Sequence, residues 1–419
     1  MARKLDESSV PKRWRYELLD KMATRCSGHT PSKSYPEYWN GGIKWVSLTD
    51  SYRLDQGYIY ETDKEISAEG IKNSSAQLHP AETVILSRDA GIGKSAVLAE
   101  PMAVSQHFIA WICDNKETLH SWFLYNWLQL NKPEFERQAV GSTIKTIGLP
   151  YFKKLKVLAP PFSEQQKIAQ ILSTWDKAIT TTEQLLANSQ QQKKALMQQL
   201  LTGKKRLLDE NGVRFGGEWE CFTLNDLFTF KRGKGLSKSD ISTTGKNRCV
   251  LYGELYTRYA EVIDNVNSRT DKNEAELSES GDILIPSSTT TSGIDLANAT
   301  AILENGVLLG GDINILRPRS KLSSQFMAHV LTHIKRYEIA SLAQGITIIH
   351  LYGSDLKKLK VWIPRKLDEQ IKISQVLSAI DKASLKLQIK LDILKQEKKS
   401  LMQQLLTGKR RVKVDEEAA

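Results

Sequence analysis

Three stretches of this sequence carry residue types at spacings that could do chemistry. Asp89-Ala90-Gly91-Ile92-Gly93-Lys94-Ser95 has the ending of a phosphate-cradling loop, in which glycine N–H groups wrap a nucleotide and a lysine meets its phosphates. The full pattern needs glycine five residues before Gly93, where Arg88 stands, so a tight turn between two strands is expected instead. Ala159-Pro160-Pro161-Phe162 has the Pro-Pro-aromatic core of a base-modifying site. That chemistry needs a polar side chain at the first position to hold the amino group of an extruded base, and Ala159 cannot do this. A rigid start to a helix is expected there. His329 and His333 stand at i and i+4 on an expected helix, the spacing of a metal pair. With no glutamate beside His329 and no third ligand nearby in the chain, a solvated helix face and no metal are expected. Trp122, Phe123, Tyr125 and Trp127 read as helix core rather than as a stacking platform for bases.

The elements that must position any site are duplicated. At a shift of 205, about 24 of the 43 positions in residues 164–206 recur in 369–411, among them Asp176-Lys177-Ala178 and the Leu-Leu-Thr-Gly-Lys ending at Lys204. Ile168, Leu172, Trp175, Ile179, Thr182 and Leu186 step by four and three, and Leu196 and Leu200 keep that register. Ile373, Leu377, Ile380, Ser384, Leu387, Leu391, Leu394, Leu401 and Leu405 do the same in the second copy. Such spacing draws one apolar stripe down a helix, the seam of a coiled coil. Ser163 and Asp368 are the expected N-caps, with Gln166 closing a capping box on Ser163, and Gly203 and Gly408 are the expected stops. Each helix of this length extends roughly 58 Å at about 1.5 Å per residue. Two matching seams most simply pair with each other, and an antiparallel pair would hold the globular parts apart as a spacer.

The duplication continues outside the helices. Trp14 matches Trp219, and Gly28-x-x-x-Ser32-Lys33-Ser34 matches Gly233-x-x-x-Ser237-Lys238-Ser239. Gly141-x-Thr143-Ile144 matches Gly345-x-Thr347-Ile348, and Lys153-Lys154-Leu155-Lys156-Val157 matches its counterpart starting at Lys357. Between these anchors the halves diverge. Short β-rich runs at 43–48, 83–87 and 108–112 have partners at 282–285, 300–303 and 313–316, and helices are expected at 117–130 and 324–342. The expected fold is α+β: two globular domains, 1–158 and 209–362, each followed by a long helix, 159–208 and 363–412, with a disordered tail at 413–419.

Composition bounds the class. The 419 residues include 59 Lys and Arg against 48 Asp and Glu, a formal +11, which suits a polyanion partner. Cys26, Cys113, Cys221 and Cys249 are far apart and form no C-x-x-C pair, which speaks for reduced thiols and against a disulfide or zinc framework. The first residues lack an apolar leader core and no run approaches 18 apolar residues, so a cytoplasmic protein is expected.

Taken together, several features resemble the specificity (S) subunit of type I restriction-modification enzymes, over essentially the whole chain. They are the tandem halves, Gly28-His29-Thr30-Pro31-Ser32 followed by Tyr38-Trp39-x-Gly41-x-Ile43-x-Trp45, Pro160-Pro161-Phe162-Ser163-Glu164-Gln165 with its counterpart at 364–370, and the twin helix ends. The second copy departs from the pattern where Arg365 and Lys366 replace Pro161 and Phe162. The resemblance implies that each globular part is a target recognition domain for one half of an asymmetric, split site in double-stranded DNA. It also implies that the helices dock two methyltransferase (M) subunits, to which motor-nuclease (R) subunits add. The chain itself would be non-catalytic and without a cofactor, with S-adenosylmethionine bound by M and ATP and Mg by R.

On that reading, phosphate contacts supply affinity and side chains at base edges supply specificity. The candidates in the first domain are Lys33, Lys44, Tyr52, Arg53, Arg88, Lys94, Gln106 and His107. In the second they are Lys231, Arg232, Lys234, Lys238, Tyr256, Arg258, Tyr259, Ser288 and Thr289. Lys33 and Lys238 belong to the shared frame and are expected to meet phosphates, whereas the divergent residues near Arg88 and from Tyr256 to Tyr259 are expected to read bases. Two other classes predict different behaviour. A coiled-coil scaffold or DNA adaptor would show no sequence preference, and a nucleotide- or S-adenosylmethionine-using enzyme would bind its cofactor alone.

Overall fold

The computed structural model describes residues 10–113, 118–141 and 145–414. Glu117 of the expected helix, Thr143 and Ile144 of the shared motif, and 415–419 of the tail lie outside them. The chain divides into two compact units, Met1–Glu183 with Ile389–Ala419, and Gln184–Gln388.

In the first unit a mixed sheet runs in the order Thr24–Ser27, Phe108–Ile112, Val84–Ser87, Ser95–Leu98, Tyr58–Ile59. Its pairs are antiparallel except the last, where Tyr58 and Ile59 lie parallel to Val97 and Leu98. Strand side chains alternate between faces, and here both faces are covered. Val84, Leu86, Ile109 and Trp111 pack under Phe123, Leu124 and Leu128 of the helix Ser121–Gln138, while Ile85, Ala96, Leu98 and Ala110 meet Val46, Leu54 and Met102. The aromatic run is core as expected, Phe123, Tyr125 and Trp127 being buried, and the helix continues through Pro133 beyond its expected end. Ile168, Leu172, Met402 and Leu405 of the long helices complete the same core.

The second unit repeats the frame. Its sheet runs Phe228–Arg232, Ile313–Pro318, Asp282–Pro286, Thr300–Ile302, Val262–Ile263, again with one parallel pair at the end. Ile283, Ile285 and Leu316 pack with Phe326, Met327, Leu200, Ile373 and Leu377, and Leu284, Ile313 and Ile315 form a second core with Val250 and Leu255. The expected single helix at 324–342 is instead three pieces, Ser324–His329, a π turn Val330–Ile334, and Arg336–Ser341. The solvated histidine face expected here is corrected by the structure. His329 is 1% exposed because this face lies against the sheet, and a carboxylate, Glu261, reaches it from 68 residues earlier.

The long helices are Phe162–Leu200 and Leu367–Leu405, each of 39 residues. Each begins one residue before the expected cap: the Pro161 carbonyl already accepts from the Glu164 and Gln165 N–H groups at 3.0 and 3.1 Å, and the Lys366 carbonyl from the Gln370 N–H at 3.4 Å. The stops are as expected: Gly203 and Gly408 have φ of +71° and +72°, where a side chain is strained, and a Cβ on Gly203 would come within 3.0 Å of the Trp219 ring. Both helices contribute to both units. Within the first unit Asp176 pairs with Lys398 at 2.5 Å and Glu183 with Lys395 at 2.7 Å. Within the second, Lys193 pairs with Asp381 at 2.6 Å and the Ser189 and Ser384 hydroxyls hydrogen-bond at 2.8 Å. Partner numbers fall as positions rise, so the pairing is antiparallel. Ile168, Leu172, Leu200, Ile373, Leu377, Leu391 and Leu405 of the expected seam are buried, and Trp175, Ile179, Leu186, Leu196, Ile380, Leu387 and Leu401 are half-buried.

Thiol labelling checks a smaller cluster in the second unit, where Cys249 packs with Leu236 and Leu308. Cys249 is fully buried and burial pushes its thiol up to about 11, with the nearby Glu254 charge adding to the effect, whereas Cys221 is exposed. The thiolate is the reactive form. At pH 8, iodoacetamide is therefore expected to modify Cys221 while sparing Cys249 until the protein unfolds, as read by peptide mass spectrometry. Equal labelling rates would contradict the packing described.

Candidate nucleic-acid interface

In the first unit the turn between Val84–Ser87 and Ser95–Leu98 gathers polar side chains from distant segments. Its glycines have positive φ, +78° at Gly91 and +80° at Gly93, so the phosphate-loop resemblance is a hairpin turn. Asp89 anchors one side: its carboxylate holds the His107 Nδ1 at 2.5 Å and accepts from the Thr146 hydroxyl. Gln106 lies beside His107, and its amide oxygen accepts from the Thr30 hydroxyl. Arg88 donates from Nε to the Ile147 carbonyl at 3.1 Å, and its N–H donates to the His107 carbonyl at 2.9 Å. Arg88, Gln106 and His107 thus form one cluster. Asp89 and Thr146, which organise it, were not singled out from sequence; an acidic residue in a turn facing a histidine 18 positions away gives no local signal.

On the other side of the turn, Lys94 donates to the Ser51 carbonyl at 2.9 Å and to its hydroxyl at 3.1 Å. The adjoining Tyr52 donates to Asp63 at 3.1 Å, and the Arg53 guanidinium lies 4.5 Å from the Tyr52 ring and pairs with Asp50 and Asp63. The Arg53 hydrogen bond holds Asp63 below the usual carboxylate range. Lys33 is exposed at the surface. The Lys44 ammonium lies between Glu100 at 2.6 Å and Glu61 at 3.2 Å, and the Glu100 hydrogen bond raises its pKa.

In the second unit Lys231 and Arg232 end the sheet's edge strand and pair with Glu276 at 2.8 Å and Asp312 at 2.9 Å. They line a cleft of about 270 Å³ with His350, Tyr352 and Lys357, three residues that sequence reading passed over. The shared hairpin beside it carries Ile346 at 99% exposure. Lys234 and Lys238 are exposed. Arg258 pairs with Glu254 at 2.8 Å, Tyr256 is half-buried beside Tyr252, and burial raises the Tyr259 pKa. Ser288 and Thr289 are a correction. Their strand pairs with Ile349–His350 and their side chains are buried, whereas Thr290 and Thr291, which follow, are exposed.

Each frame is fastened to the helices by the same contacts. Glu369 is buried and receives two hydrogen bonds from Arg206, at 2.5 and 2.6 Å; Glu164 is held by Arg411 at 2.7 and 2.6 Å. Arg206 also donates to the Gly217 carbonyl at 2.8 Å, and Arg411 to the Lys12 carbonyl at 2.9 Å. Gln165 and Gln370, the next residues, each use their side-chain amide to satisfy free backbone groups: His120 N and Ser323 N donate to their oxygens at 2.9 and 3.0 Å. The residues reading as a helix motif are therefore the bolts between helix and domain.

Comparison with known proteins follows the same division. The profile of the type I restriction modification DNA specificity domain matches twice, at residues 11–188 and 216–395. The MjaVIII specificity subunit of Methanocaldococcus jannaschii is 22% identical over 96% of this chain and 94% of its own length. The MjaIX subunit of the same organism is 28% identical over 42% of this chain, and that match spans 40% of the relative's length. A crystal structure of the S subunit of a type I system from M. genitalium superposes with a TM-score of 0.58 at 18% identity, covering 96% of this chain and 97% of that one.

Proposed function

The chain belongs to the type I restriction-modification DNA specificity family, whose members are non-catalytic recognition subunits, and we propose that it reads an asymmetric two-part site in double-stranded DNA, one half per recognition domain. The observation carrying this reading is one strand order used twice with different polar surfaces: the Arg88, Gln106 and His107 cluster in the first unit, the Lys231 and Arg232 cleft in the second. Lys33, Lys234 and Lys238, which are exposed, supply phosphate contacts. The divergent groups, including Tyr52, Arg53 and Lys94 beside the first turn and Tyr256, Arg258 and Tyr259 in the second unit, set base preference. The helix pair fixes the spacing of the two halves.

Exposed apolar side chains on the long helices, Leu185, Leu385, Ile389 and Ile393, support docking of two M subunits, which bind S-adenosylmethionine and methylate an adenine in each half-site; R subunits add ATP, Mg and cleavage. No described helix is long and apolar enough to cross a membrane, and the assembly works on DNA in the cytoplasm.

Competition binding by the chain assembled with its M subunits separates the two kinds of contact. Lys234→Ala and Lys238→Ala are expected to weaken all duplexes alike and lower the salt slope by about one per lost phosphate contact. Gln106→Ala and His107→Ala are expected to cost about 1–3 kcal/mol at one half-site and relax its base preference, leaving the other unchanged. Uniform loss from all four substitutions would favour the scaffold reading.

A further inference from the structure

The second unit encloses a cluster that includes none of the candidate DNA contacts. Glu261, His329 and His333 place a carboxylate oxygen and two ring nitrogens within 4.8 Å of one another. His333 Nε2 hydrogen-bonds Glu261 Oε1, and His329 Nδ1 lies 3.9 Å from the same oxygen. The two rings stack with centroids 6.0 Å apart and planes at 21°. His329 is 1% exposed, and neither of its ring nitrogens has a hydrogen-bond partner within the protein. Buried polar groups are nearly always satisfied, and each exception needs a reason.

We propose that Glu261, His329 and His333 form a binding site for a divalent first-row transition ion, zinc in the first instance. Two imidazoles and one carboxylate are a recognised zinc donor set that leaves a fourth position open. Zinc lies about 2.0–2.1 Å from such ligands, so tetrahedral ligand atoms stand roughly 3.3 Å apart; the present ligand atoms lie within 4.8 Å of one another, and an ion would replace the His333–Glu261 hydrogen bond. The ion gives His329 the partner it lacks.

The backbone is arranged for this. His333 sits in the π turn Val330–Ile334, and single π turns in helices are frequent at functional sites. Glu261 immediately precedes the edge strand Val262–Ile263, and its carbonyl accepts from Ala301 N–H at 2.8 Å, which fixes where the carboxylate starts. Lys193, whose charge acts on Glu261 and His329, is paired with Asp381 at 2.6 Å. Among its described residues the first unit lacks the set: Gly57 precedes the matching edge strand Tyr58–Ile59, and its N–H donates to the Tyr125 hydroxyl at 3.0 Å. Bound metal would pin the helix Ser324–His329 to the edge of the sheet in the second unit alone.

The test uses the full chain, stripped with chelator and titrated with zinc chloride against a chromophoric competitor. The expected result is about one zinc per chain, with a roughly 100-fold or greater loss of affinity in His329→Ala and in His333→Ala, since disturbing even an outer-shell partner costs 10–100-fold. His107→Ala keeps full binding. Zinc uptake that is absent in the unaltered chain, or equal in the cluster variants, overturns the proposal. X-ray absorption of the zinc-loaded unaltered chain needs no variant: imidazole scattering at about 2.0 Å supports the site, and a shell without imidazole overturns it.

Discussion

Inserting one heptad into each long helix, after Leu186 and after Gln388, is expected to lengthen the unread spacer between the two half-sites by about three base pairs. Seven residues add about 10.5 Å of helix, against about 3.4 Å per base pair of DNA. The insertion must be made in both helices because they pair antiparallel, and it must be seven because the apolar stripe repeats every seven residues; three or four would turn half of each seam to solvent. The bases read at each half stay the same, because the insertions lie outside both sheets and their polar clusters. Affinity for the original spacer is expected to fall toward non-specific binding, roughly 10³-fold or more. Methylation by the assembled complex on duplexes of graded spacer length checks this. An unchanged spacer preference would remove the ruler from the account.

Cutting the bolt between helix and domain in the second unit is expected to lower stability strongly. The Glu369 side chain is 1% exposed and Arg206 19%. Arg206→Ala strands a buried carboxylate, which costs about 3 kcal/mol in comparable buried pairs. Arg206→Met with Glu369→Met removes both charges together and is expected to restore most of that loss, as buried pairs replaced by apolar groups of similar volume commonly do. Arg411 is 41% exposed, so Arg411→Ala at the equivalent place is expected to cost about 1 kcal/mol, the range of solvent-screened pairs. Urea unfolding followed separately for each unit measures all three variants. A double variant as unstable as Arg206→Ala would show that the two residues act independently.

Local periodicity made much of this fold legible. The stripes from Ile168 to Leu200 and from Ile373 to Leu405, the glycine stops and the turn at Gly91 and Gly93 are set within a few residues, and each appears where its spacing put it. The helix caps lie two residues before Ser163 and Asp368, because the Pro161 and Lys366 carbonyls already take the first intrahelical bonds. Contacts across the chain left no such trace. Arg206 meets Glu369 across 163 residues and His333 meets Glu261 across 72, so the pairs were visible only as separate charges. Asp176 with Lys398 and Asp381 with Lys193 are the same contact in both copies, yet each acid and base lay on a different helix. Ser288 and Thr289 look like surface residues by type, but a two-residue strand against Ile349–His350 encloses them. Polar side chains that end up inside are decided by tertiary pairing, which composition does not report.

The central claim is that this chain chooses the DNA sequence on which its partners act. Single-molecule mapping of adenine methylation in cells with and without its gene, the M subunit being retained, tests it most directly. Loss of methylation at one asymmetric two-part motif is the expected result, and would give both half-sites and the spacer together. A methylation pattern unchanged by removal of the gene, while the complex is active in the parent cells, would contradict it.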